Sequence, residues 1–134
     1  MKPGQQLPER IIESVDPARM KTLSALMRDP NPIHFDPDAV AALGLGGRTI
    51  NQGPSNIAYV VSMLGAWAGG VDRVVDYRFR FLGNVYAGQR LRAHGVVTEV
   101  TREHDTTRVR CDLALDVVDG ERVLDGTGIV LIPD

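Results

Sequence analysis

From residue 57 to residue 68 the chain offers almost no polar face. Ile57, Ala58, Val60, Val61, Met63, Leu64, Ala66, Trp67 and Ala68 crowd nearly every side of a helical wheel, with Gly53-Pro54-Ser55 as a start signal and Gly69-Gly70 as a stop. A helix apolar nearly all round has to be buried. The segments C-terminal to it can do the burying. In residues 74–81, Val75, Tyr77, Phe79 and Phe81 fall on one face and Asp76, Arg78 and Arg80 on the other. Residues 108–117 alternate in the same way, with Val109, Cys111, Leu113, Leu115 and Val117 against Arg108, Arg110, Asp112 and Asp116. Residues 91–100 alternate more weakly, and residues 123–132 carry Gly126 and Gly128, a sign of a bulge or a close backbone approach. These are the strands of a sheet buried on one side.

The first half of the chain reads helical and the second half as strands, which predicts an α+β protein with an antiparallel sheet. Residues 10–15 suit a short strand. Asp16-Pro17 then marks an N-cap and first helical position, and Met20, Leu23, Leu26 and Met27 give that helix one apolar face ending before Pro30. Phe35-Asp36-Pro37 repeats the signal for a short helix through Ala39, Val40 and Leu43, stopped by Gly44, Gly46 and Gly47. Val118-Asp119-Gly120-Glu121 makes a hairpin turn between the last two strands. One buried helix and a one-faced sheet fit together if the sheet curls around the helix. That is the hotdog fold, expected here as a single domain over residues 1–134.

Composition narrows the function. A net charge of −2 with no basic face argues against a nucleic-acid partner. A lone Cys111 excludes an intrachain disulfide and suits a reducing compartment. The N-terminus lacks a signal-peptide pattern, and the longest apolar segment, residues 57–70, is too short and interrupted to span a bilayer. A cytoplasmic protein away from membranes is expected.

The chemistry concentrates in Arg28-Asp29-Pro30-Asn31-Pro32-Ile33-His34-Phe35. Two prolines stiffen the segment and bias Asp29 and Asn31 towards extended backbone. A carboxylate and an imidazole five positions apart, held stiffly between helices, suit a reaction needing two placed proton-transfer groups. The plainer reading is a turn in which Asp29 caps backbone amides. The next loop favours the first. Gly53 opens the buried helix, so unpaired amides gather there at a positive dipole end able to polarise a carbonyl and stabilise an enolate. Pro54 has no N–H, which leaves Gly53, Ser55 and Asn56 as donors. An acid–base pair facing such donors is what addition of water to an α,β-unsaturated thioester requires.

Asp29-Pro30-Asn31-Pro32-Ile33-His34 resembles the hydratase motif of the MaoC-like family of (R)-specific 2-enoyl-CoA hydratases and 3-hydroxyacyl dehydratases. Tyr77-Arg78-Phe79-Arg80-Phe81-Leu82-Gly83-Asn84-Val85-Tyr86-Ala87-Gly88 resembles the family's strand and following turn, and the likeness runs from about Ala18 to the C-terminus. The resemblance implies that Asp29 and His34 are the catalytic pair, that the Gly53 amide binds the thioester oxygen, and that Asn31 is the motif asparagine, holding the loop. It implies no cofactor and no metal, since CoA or an acyl carrier protein belongs to the substrate. It also implies a homodimer or a pairing with a second hotdog subunit. Many members have His-Gly-Met where this chain has Gln52-Gly53-Pro54, and a serine in the helix where it has Val61 beside Ser62. These departures bear on the oxyanion geometry and the acyl pocket. Ile50-Asn51 and Trp67-Ala68-Gly69 look nearer to single-hotdog subunits of bacterial steroid side-chain enoyl-CoA hydratases, which implies a bulky acyl group.

Asn56 and Tyr59 interrupt the apolar helix and, with Asn31 and Ser55, are candidates to bind substrate. Arg78 and Arg80 suit CoA phosphates or ordinary solvated positions, the second being simpler. His94 reads as a partly exposed strand histidine, His104 as part of a hairpin tip and Cys111 as a small core residue. Two rival functions are a hotdog thioesterase and a non-catalytic subunit that binds acyl thioesters.

Overall fold

A computed structural model describes residues 1–134. A short strand β1 (Arg10–Ile12) leads to helix α1 (Pro17–Met27), a 3₁₀ turn (Pro32–His34), helix α2 (Pro37–Ala42) and helix α3 (Gly53–Ala68). Strands β2 (Val74–Phe81), β3 (Leu91–Glu103), β4 (Thr106–Val117) and β5 (Arg122–Pro133) complete the chain. The proline starts act as expected. The Asp16 carboxylate accepts from the Ala18 amide at 2.9 Å and the Asp36 carboxylate from the Asp38 amide at 3.0 Å. α3 ends at Gly69 with φ 92°, a conformation that favours glycine.

All strand pairs are antiparallel, in the order β1-β3-β4-β5-β2. β1 and β2 thus lie at opposite edges, and the three helices carry the chain from one edge to the other. α3 touches all five strands. Five strands about 4.8 Å apart make a flat sheet roughly 19 Å wide, against a helix about 10 Å across. Contact with every strand therefore requires the sheet to curl around the helix. Val60 and Leu64 of α3 pack with Leu91, Leu113, Leu115, Leu124 and Val130 in the core. Gly128 admits the helix, because a Cβ there would lie 2.7 Å from Leu64 Cδ2 and 2.8 Å from Leu113 Cδ1. At Gly126 a Cβ would collide with the Arg78 carbonyl, so these two glycines mark close approach rather than a bulge.

Five expectations need correcting. α3 is not covered on all sides: Ala58, Ser62 and Ala66 form an exposed stripe of small, uncharged side chains. Nor is the apolar face of β2 fully buried, since Val75, Tyr77 and Phe81 are about half exposed. β2 is an edge strand, so no neighbouring strand covers its open side. On α1 the buried residues are Met20 and Ser24, while Leu26 is 77% exposed and Met27 43%. The first strand stops at Ile12, and β3 runs on to Glu103, past the expected end at residue 100. Its hairpin tip turns at His104 with φ 52°.

Candidate active site

α1 stops with Arg28 in the left-handed region, φ 52°. The next amide, that of Asp29, donates back to the Ser24 carbonyl at 2.9 Å. This closes the helix and aims Asp29 across the loop. Asn31 caps the 3₁₀ turn, its Oδ1 accepting from the Ile33 amide at 3.3 Å, and its own amide donates to Asp29 Oδ1 at 3.1 Å. The stiff loop is thus one helical turn with a cap at its head, and it carries His34 inward to 7% exposure. His34 Nδ1 lies 2.7 Å from the Ile50 carbonyl. A carbonyl only accepts, so Nδ1 carries the proton and Nε2 is the nitrogen left with a free lone pair. Nε2 stands 3.2 Å from Asp29 Oδ2. Two bare lone pairs would repel there, so the contact is favourable when one proton rests on either group. The Asp29 side chain is one-third exposed.

The segment from Ile50 to Gly53 supplies the other half. Ile50 also donates to the Ile33 carbonyl at 2.8 Å, pinning the His34 turn on both sides. Of the three candidate amides, those of Ser55 and Asn56 are spent on the Gln52 carbonyl at 3.1 and 3.3 Å. The Gly53 amide bonds to nothing in the chain and is the free donor at the α3 N-terminus. The Phe81 ring lies against Gly53, where an added Cβ would come within 3.0 Å of two ring carbons.

The other predicted residues divide. Ser55 and Tyr59 line a groove of about 320 Å³ between α1 and α3, with Leu23, Leu26, Asn51 and Ala58. Asn56 is buried, accepting from Asn51 Nδ2 at 2.8 Å, so it braces the helix start. Asn31 braces its own loop. Asp29 lies in a separate open depression with Lys21, Ser24, Ala25 and Phe35, and neither hollow is lined by His34 or Gly53. No group of three or more His, Cys, Asp or Glu side chains gathers anywhere.

Residues 1–118 match the family described as MaoC like domain. The chain belongs to this MaoC-like family. No protein of curated function matches it. Among solved structures it resembles the (R)-hydratase from A. caviae involved in PHA biosynthesis, with TM-score 0.85 and 22% identity over 99% of this chain and 98% of that one. It resembles R-hydratase PhaJ1 from Pseudomonas aeruginosa, with TM-score 0.84 and 22% identity over 100% and 83% of the two chains. A chain of the ChsH1-ChsH2 complex from Mycobacterium tuberculosis aligns with TM-score 0.80 and 19% identity over 100% and 99%. At these identities the likeness establishes the hotdog fold.

Within this MaoC-like domain, sequence reasoning passed over Ser24 and saw Gln52 only as a departure. Gln52 Nε2 donates to the Met20 carbonyl at 2.8 Å and to Ser24 Oγ at 3.0 Å, across 28 or more positions of sequence. The available signal was a serine one turn after Met20 on a helix with apolar neighbours. On the outer sheet face His94 is the partly exposed strand histidine expected, and it has a partner. Its Nε2 contacts Asp116 Oδ2 at 2.7 Å, and Arg122 Nε donates to Asp116 Oδ1 at 2.8 Å. Burial works to raise the Asp116 pKa, but the bonds from Arg122 and His94 outweigh it and hold the carboxyl below its ordinary value. Arg80 pairs with both oxygens of Asp125, at 3.1 and 3.2 Å, leaving Arg78 as the exposed arginine of the pair on β2 without an ion-pair partner. Cys111 sits in the core. No helix is long and apolar enough to cross a membrane.

Proposed function

We propose that this chain is a cofactor-independent hydratase/dehydratase of 2-enoyl and 3-hydroxyacyl thioesters, acting on the CoA form. The family membership supports hydro-lyase chemistry in general. The observation that carries the specific reading is one segment presenting both halves of the reaction, a carbonyl that fixes the His34 tautomer and a free Gly53 amide three residues later.

In the hydration direction the thioester oxygen accepts from the Gly53 N–H, which draws electron density from C3. Water, held by Asp29 and His34 Nε2, adds its oxygen to C3 as the C2=C3 π bond breaks. One member of the pair takes the water proton and the other gives a proton to C2. The pair ends with the one proton it began with, so no further acid or base is needed. The groove with Leu23, Leu26 and Tyr59 takes the acyl group, and its open side suits a bulky one. The half-exposed face of β2 and the bare stripe of α3 support a dimer, with a second copy of the chain as the partner.

The test is to follow loss of enoyl absorbance with crotonyl-CoA and with bulkier, ring-bearing enoyl-CoAs. Turnover by wild type, abolished in Asp29→Asn and His34→Ala, is the expected result. Absence of turnover with every enoyl thioester would refute the assignment, and release of free thiol would transfer it to a thioesterase.

A further inference from the structure

Gln52 is the most deeply buried polar side chain of the protein, at 1% exposure. Its Oε1 has no hydrogen-bond partner. A buried acceptor left without a donor costs stability, and an apolar side chain of similar length would avoid that cost. The two bonds from Nε2 are what an apolar residue could not make. They reach the Met20 carbonyl and Ser24 Oγ, which lie one turn apart on the side of α1 facing α3. Ser24 is also the residue whose carbonyl receives the Asp29 amide. A continuous path therefore runs from Gly53 through the Gln52 side chain and Ser24 to Asp29. At its near end the Gln52 carbonyl holds the Ser55 and Asn56 amides, which fixes the first turn of α3 and leaves the Gly53 N–H free.

His34 is tied to the same segment separately, through Ile50. Without the Gln52 clamp, His34 would keep its place relative to Gly53, but the end of α1 could slide along α3 and carry Asp29 with it. We propose that Gln52 is a positioning residue that sets the distance from Asp29 to the His34–Gly53 half of the site. This rests on the hydratase reading above and adds a residue to it.

The test measures kcat, KM and melting temperature for Gln52→Met, Ser24→Ala and the double variant. For Gln52→Met, kcat should fall roughly 10- to 100-fold, as expected for a misplacement of about 1 Å, with KM little changed. The melting temperature should shift little, because the orphaned oxygen leaves along with the two bonds. Ser24→Ala, a mild change in a helix, should lose less. The double variant should be no worse than Gln52→Met alone, since both remove the same link. Undiminished kcat in Gln52→Met or Ser24→Ala, or losses that simply multiply in the double variant, would overturn the proposal while wild-type turnover left the hydratase reading intact. A wild type inactive on every enoyl thioester would end both.

Discussion

Replacing Gly53 by alanine separates the chemistry of the site from its stability. The added Cβ would lie 3.0 Å from Cε1 and Cζ of Phe81. A comfortable carbon–carbon contact is about 3.5–4.0 Å, so the ring must retreat by roughly 0.5–1 Å. Phe81 is 57% exposed and can do so at little cost. Gly53 is not among the glycines with positive φ, so alanine gains about 0.4–1 kcal/mol by restricting the unfolded chain. The two effects nearly cancel, and the net change should stay within about 1 kcal/mol. For a chain of 134 residues that is a shift in melting temperature of less than about 4 °C. Catalysis should respond far more. The methyl group and the displaced ring crowd the only free amide at the helix start, and losing one oxyanion donor costs roughly 100- to 1,000-fold in kcat. Enoyl-CoA hydration and thermal melting on the same samples give both readings. Wild-type kcat in the Gly53→Ala protein would refute the oxyanion assignment. A fall in melting temperature beyond about 10 °C would refute the claim that Phe81 can yield.

The remaining predictions concern the supports. Asn31→Ala removes the cap of the His34 turn and should cost about 1 kcal/mol with a drop in kcat, whereas Asn31→Asp, which keeps an accepting oxygen, should retain most of both. Asp116, whose folded pKa is depressed, should contribute stability that is complete above its ordinary value of 3.8 and lost as pH falls through the lower folded value. Melting curves from pH 7 to pH 3 should therefore fall more steeply for wild type than for Asp116→Asn; parallel curves would refute the depression. Burial first, and Asp112 second, push the Cys111 thiol up to about 11. A disulfide reagent at pH 8 should thus label it only as fast as the protein opens, and immediate labelling would contradict its place in the core.

Features that rest on local period could be read in the sequence. α3 and the four long strands come from apolar spacing, and the caps at Asp16 and Asp36 from a single dipeptide each. The face of α1 could not be read in this way. Leu26 and Met27 share a helical stripe with Met20, yet Ser24 is the residue buried, because Gln52 lies opposite and needs an acceptor. Periodicity records how apolar a side is, not what faces it. His94 and Asp116 stand 22 positions apart and meet through the pairing of β3 with β4, which is shifted between Val97 and Glu99. Likewise, the motif marked Asp29 and His34 as candidates, but the Ile50 carbonyl that selects the His34 tautomer carries no side-chain label that a reader of residues could notice.

Asp29, His34 and Gly53 all precede the body of α3, and no strand contributes to the three. The sheet is a frame, and the candidate reaction centre is a cassette clipped to one end of the helix it curls around. On the hydratase reading, substitutions at Leu23, Leu26 and Tyr59 in the α1–α3 groove can then accumulate and change which acyl group is admitted without touching Asp29, His34 or Gly53. A lineage built this way can exchange substrates gradually while its reaction stays the same, and a designer could graft new pocket walls onto an unaltered reaction centre.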